Sequence, residues 1–262
     1  MDARGATRPP RSYHRSQADA RRYQRVGVVY MVSIYAALVA AMLDWISLAV
    51  MTPIVVVAYV RGALLTHELM HVRRPEHVTW LLRMMMIFET PLGLGYREHQ
   101  NIHLRHHQRT ATAADPEFFQ IRGGRLRALA AALLSPELAA IKWVSTRGIS
   151  ATLKREASIK CFIMLTLIAV DSSVFLSYWI VVRLTVGLSN YGFHHILHYR
   201  GGTYGTFRLE LWAPIRAAMV VVLGPAMTAV LCEHDAHHAW QGVKAERLPG
   251  LLRAYPPTGG HP

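Results

Sequence analysis

The sequence predicts an all-α integral membrane protein: four transmembrane helices in two hairpins, with every histidine cluster on the cytoplasmic side. Three observations predict it. Two long apolar stretches are each broken by an aspartate, basic residues crowd one side of those stretches, and eleven of the 15 histidines fall into four short clusters. Composition agrees, because 52% hydrophobic residues and a mean hydropathy of +0.19 coexist with a formal net charge of +13, a pairing foreign to soluble globules.

Residues 1–25 form a basic tail with seven arginines (Arg4, Arg8, Arg11, Arg15, Arg21, Arg22 and Arg25) against Asp2 and Asp19. From Val26 to Val60 the only charge is Asp44. A bilayer core needs about 20 apolar residues per helix, so a stretch broken at Asp44-Trp45 reads as a tight hairpin with spans at about 26–43 and 46–65. Such spans are short, and bilayer thinning or a buried hairpin tip would absorb the mismatch. From Cys161 to His198 the form recurs, broken by Asp171-Ser172-Ser173, with spans at about 158–175 and 177–195. The membrane domain thus runs over 26–251 and leaves 252–262 as a C-terminal tail. Neither hairpin has the cleavage site of a signal peptide. Asp44 and Asp171 are expected at the far interface, and Arg183 is expected to snorkel or to meet a polar head group.

Arginine and lysine are dense in the tail, in 61–160 and after Arg200, and sparse near the two aspartates. The positive-inside rule places both termini and every histidine cluster on the cytoplasmic side of a multi-pass inner (cytoplasmic) membrane protein. Juxtamembrane arginine beside anionic lipid accounts for the charge, and no nucleic-acid recognition module accompanies it. Cys161 and Cys232 form no CxxC and no disulfide framework.

The clusters are HELMH (His67 to His71), HLRHH (His103 to His107), HDAHH (His234 to His238) and NYGFHHILH (Asn190 to His198). Residues three and four apart on a helix share a face, so each cluster can aim two or three imidazoles at one point. Eight or nine neutral nitrogens exceed the four ligands of one zinc ion and poorly suit calcium or magnesium. Two transition-metal ions, best iron, fit the count. The candidate ligands are His67, His71, His103, His106, His107, His194, His234, His237 and His238. Asn190 stands nearby to act through water, and His198 is the rival of His194. His195 points away from His194 and is read as structural. Glu68, Glu98, Asp115, Glu117, Glu233 and Asp235 lie within or beside the clusters, where a carboxylate can hold an imidazole N–H and fix its tautomer. His99, one turn before His103, is placed behind the ligands or at the surface, and Glu117 at a solvated surface. HExxH spacing also suits a zinc protease with Glu68 as base, but that would leave both HxxHH groups unexplained. A histidine-lined metal transporter would place its ligands at mid-membrane rather than at span exits.

These residues resemble the integral-membrane fatty acid desaturase superfamily, which also holds alkane monooxygenases and carotenoid ketolases. HELMH, HLRHH and HDAHH match its three histidine boxes, and Asn190 with His194 is similar to its extra NxxxH element. The similarity runs from about Arg61 to Leu251 and takes in Asp115-Pro116 and the run HHAWQGVKAERLP. It implies a four-helix stem under a cytoplasmic cap, two iron ions, O2 as oxidant, and electrons from an external donor of the ferredoxin, rubredoxin or cytochrome type. HELMH, HHQRTATAADPE and the NY pair also resemble alkane monooxygenases, whereas the HxxHH spacing from His103 is that of desaturases, and the chain length is nearer the ketolases.

An unactivated C–H bond in a lipid or acyl chain offers no leaving group, and zinc has no redox chemistry with which to break it. Iron with oxygen can, and loss of a second hydrogen gives an alkene while oxygen rebound gives an alcohol. Fatty acid desaturation is the expected reaction. Hydroxylation or ketolation of an alkyl, acyl or carotenoid substrate is the alternative.

Overall fold

The computed structural model describes residues 8–72 and 93–256, so the start of the basic tail and the last six residues of the C-terminal tail lie outside the described residues. The described chain is almost wholly helical, with one two-stranded β-hairpin, Tyr199–Arg200 against Thr203–Tyr204.

Helix α1 (Gln17–Met42) starts well before the span expected from Val26, because Ser16 and Asp19 close a capping box at its N-terminus. Arg21, Arg22 and Arg25 therefore lie on a helix rather than in a tail. The chain turns at Asp44, which takes a left-handed φ of 57°, beside a Trp45 that is 76% exposed. Helix α2 (Leu48–Met70) returns against α1 and ends at the first histidine cluster.

After the undescribed segment come α3 (Tyr96–Arg109), the short α4 (Phe118–Ile121), α5 (Arg125–Leu133) and α6 (Ser135–Arg147), the last two bent by 75° at their junction. Helix α7 (Ala151–Val170) and α8 (Ser172–Asn190) are separated by Asp171 alone, whose Oδ1 accepts from the backbone N–H groups of Ser173 and Val174. The break thus falls within the expected interruption at Asp171-Ser172-Ser173. A π-helical turn (Tyr191–Ile196) continues α8, and α9 (Ala213–Leu223), α10 (Pro225–Cys232), α11 (His234–Ala239) and α12 (Leu251–Ala254) complete the chain.

Among the described residues three helices are long and apolar enough to cross a membrane: α1, α2 and α8 with its π-helical turn. Helix α7 has the length, but Lys154, Arg155, Glu156 and Lys160 occupy its first half. The stem packs inward through Leu38, Met51, Val55, Tyr178 and Val182, while Val29, Val32, Val50, Leu184 and Leu188 point outward and exposed. An apolar exterior of this kind suits lipid rather than water. Arg183 does not snorkel. Its Nη2 donates to the Leu133 carbonyl (2.6 Å) and to Glu137 (2.8 Å), tying α8 to the bend between α5 and α6. Gly187 lets the two approach, since a Cβ there would lie 2.4 Å from Leu133 Cδ2.

Candidate metal centre

Two helices divide their histidines between two groups, and helical geometry explains how. In α3, His103 and His107 are four apart and share a face, while His106 is rotated onto the adjoining one. In α11, His234 and His238 share a face and His237 takes the other. The first group draws His67 and His71 from the end of α2, His103 and His107 from α3, and His237 from α11. The second draws His106 from α3, His238 from α11 and His198, with His234 Nε2 3.1 Å from His198 Nε2.

Nitrogens within each group crowd closely. His103 Nε2 lies 2.9 Å from His71 Nε2 and 3.1 Å from His107 Nε2, and His106 Nε2 lies 3.2 Å from His198 Nε2. Metal–nitrogen bonds of about 2.1 Å at right angles would set neighbouring nitrogens roughly 3.0 Å apart. His237 has no hydrogen-bond partner on either ring nitrogen among the described residues, although it is fully buried. Leaving such groups unpaired is costly, and a cation at the centre of each group satisfies their lone pairs. The residues therefore fit a pair of nitrogen-bound metal ions. The two groups meet where the His107 and His238 rings stack at 4.1 Å.

Outer contacts fix several rings. His106 Nδ1 donates to Asp115 Oδ2 at 2.8 Å, and the same carboxylate accepts from the N–H groups of Ala111 and Glu117. His198 Nδ1 donates to the Gly205 carbonyl at 2.9 Å, leaving Nε2 for the second group. Glu68 Oε1 is 3.5 Å from His67 Nδ1. Burial, reinforced by neighbouring imidazoles, pushes His103, His107, His234, His237 and His238 well below the usual histidine range. Burial likewise takes His198 down to about 3. These rings are thus neutral near pH 7, the form that binds metal. Burial also lowers His106, but the Asp115 hydrogen bond and charge outweigh it and raise its pKa.

Other candidates sit elsewhere. His194 belongs to neither main group and instead places Nε2 3.5 Å from Glu117 Oε1, near His106. With His106 and Glu117 it forms a further group that could hold a metal ion, while His198, just past the π-helical turn, lies within 3.2 Å of both His106 Nε2 and His234 Nε2. Asn190 Nδ2 donates to Ser135 Oγ at 2.6 Å. His195 Nδ1 donates to the Ile121 carbonyl, 2.9 Å away, outside both groups. Glu233 and Asp235 face Arg208 rather than a histidine, Asp235 at 3.9 Å. Glu98 lies in the first turn of α3 with its carboxylate close to Gly95. His99 lines the cavity beside the groups, and burial lowers its pKa to about 4.

Both groups border a cavity of about 190 Å³. Tyr59, Ala63 and His67 line it at successive turns of α2, and Val186, Phe193, Ile102 and Ala139 complete an apolar wall. Glu117 and Gln120 enter the same wall. Glu117 is not at a solvated surface as expected: burial raises its pKa to about 7. Its Oε2 and Gln120 Oε1 have no partner among the described residues.

The family model for fatty acid desaturase matches residues 44–261. The chain belongs to the fatty acid desaturase family. No curated protein and no solved structure matches it. In this desaturase-family chain the sequence motifs pointed to the histidine boxes and Asp115, left Glu117 to solvent, and missed Gln120 and Arg15. Glu117 carried a signal in its place two residues after Asp115 and three before Gln120, one turn of helix that can face one site. Arg15 carried none, being one arginine among seven in a basic tail.

Proposed function

We propose that this desaturase-family protein is an O2-dependent membrane oxidoreductase that removes hydrogen from an unactivated C–H bond of a lipid or acyl chain, with desaturation as the reaction. The observation that carries the proposal is the pair of buried histidine groups at the wall of one apolar cavity. The first metal ion would be held by His67, His71, His103, His107 and His237, and the second by His106, His198, His234 and His238. Iron in these positions supplies reductive activation of oxygen and hydrogen abstraction, which imidazole and carboxylate cannot perform alone.

The chain's own residues do the rest. Tyr59, Ala63, Val186 and Phe193 strip water from an alkyl chain and present one carbon to the metal groups, which is where selectivity arises. Asp115 holds His106 with Nε2 turned inward, and the Gly205 carbonyl does the same for His198. Helices α1 and α2, and the apolar second half of α7 with α8, would form the two hairpins of the stem, with the cap and both termini on the cytoplasmic side. The basic cytoplasmic face suits an acidic electron-donor protein, whether of ferredoxin, rubredoxin or cytochrome type.

Hydroxylation is the second reading. Buried Glu117 and Gln120 beside the cavity favour it, because they offer hydrogen-bond partners to an alcohol product. Expression in a host with a compatible reductase, followed by mass spectrometry of lipid extracts under isotopic O2, tests both. Loss of two hydrogens from an acyl chain is the expected result. Gain of one labelled oxygen supports hydroxylation, and no oxidised lipid under either condition overturns the enzyme assignment.

A further inference from the structure

The segment ahead of α1 is built into the metal centre. Arg15 is buried with a guanidinium at 0% exposure, and it reaches Glu68, the residue beside His67, through two hydrogen bonds: Nε to Oε2 at 2.9 Å and Nη2 to Oε1 at 2.6 Å. A third bond runs from Nη1 to the Gln241 carbonyl at 2.7 Å, in the loop that follows the α11 histidines. Backbone pairing seats this arginine: Arg15 N donates to the Gly242 carbonyl, Lys244 N donates to the Tyr13 carbonyl, and Lys244 Nζ lies 2.9 Å from Asp19. Gly242 is required for the approach, since a Cβ there would sit 2.9 Å from His14 Nδ1. One side chain thus joins the N-terminal segment, the helix end bearing His67 and His71, and the loop behind His237.

A buried ion pair is weak support for stability, because desolvating both charges offsets much of their attraction. It is well suited to fixing direction, since the bidentate fork allows the carboxylate one orientation. Here it keeps Glu68 Oε1 3.5 Å from His67 Nδ1, a nitrogen that makes no hydrogen bond among the described residues. Loading a cation on the other ring nitrogen makes Nδ1–H a stronger donor toward that carboxylate. The family match begins at residue 44 and therefore assigns nothing to Arg15.

We propose that Arg15 is a positioning residue of the first metal group, acting through Glu68 on His67 and through Gln241 on the loop behind His237. The proposal rests on the two-metal reading above. Cobalt(II) is the probe, titrated into metal-depleted, detergent-purified full-length protein and read by visible absorption and by bound cobalt per chain. In a His198→Ala background only the first group remains to be filled. There, Arg15→Met with Glu68→Met, an apolar pair of similar size, is expected to keep the thermal unfolding midpoint while weakening cobalt binding roughly 10- to 100-fold. Arg15→Lys, which keeps the charge without the fork, is expected to fall between the two. A folded double variant, or Arg15→Lys should the double variant not fold, that binds cobalt as tightly as its background overturns the role of Arg15 alone. Failure of the parent protein to bind cobalt at either group overturns the two-metal reading and this proposal with it.

Discussion

Replacing His198 by alanine should empty the second metal position, whereas replacing His194 should leave it filled. His198 Nε2 lies 3.2 Å from His106 Nε2 and 3.1 Å from His234 Nε2, so its removal takes the hub from that group and leaves three imidazoles. It also leaves the Gly205 carbonyl without its donor, at a cost of about 1–3 kcal/mol for a buried unsatisfied group. That loss is modest enough for the fold to survive. Metal per chain should therefore drop from two to one and lipid oxidation should cease, with a small fall in the unfolding midpoint. His194→Ala should keep both metals, because His194 stands outside both of the larger histidine groups, beside Glu117 and His106. The assay is elemental analysis of gel-filtered protein beside thermal unfolding in the same detergent. Two metals in His198→Ala, or one in His194→Ala, would refute the division of histidines.

Asp115→Asn should weaken the second metal position by roughly 10- to 100-fold through loss of the carboxylate that orients His106, and competition with a graded chelator reads the change. Unchanged retention would deny Asp115 that role. Single cysteines at positions 44 and 171, with Cys161 and Cys232 removed, should react with a membrane-impermeant reagent from outside, and one at position 110 should not; outside labelling at 110 would invert the topology. The metal-free protein should lose stability as pH falls. The depressed folded-state pKa values of His103, His107, His234, His237 and His238 mean that the unfolded chain binds more protons below about pH 6.5. A midpoint that held steady or rose between pH 7 and 5 would contradict burial of these rings in neutral form.

What the sequence revealed followed from local periodicity. The HxxxH and HxxHH spacings sit within single helices, where residue separation alone determines which rings share a face, and the helix breaks at Asp44 and Asp171 are written as single aspartates interrupting long apolar runs. Features that depend on tertiary contact were hidden. The chain passes from α8 into a π-helical turn at Tyr191–Ile196, nothing in NYGFHHILH marks that turn, and both His194 and His198 come to face His106. Glu117 reads as a loop carboxylate until α4 buries it against His194. Arg183 resembles a residue bound for the head groups until Glu137 and Leu133 meet it from another element. Glu233 and Asp235 adjoin the third cluster in sequence, yet Arg208 draws both away.

The central claim, two metal ions held by nine histidines in groups of five and four, is tested most directly by anomalous diffraction at the iron edge from protein produced with iron available. Two peaks per chain are expected, one among His67, His71, His103, His107 and His237 and one among His106, His198, His234 and His238. A single peak, or zinc alone with no iron at either group, would contradict it.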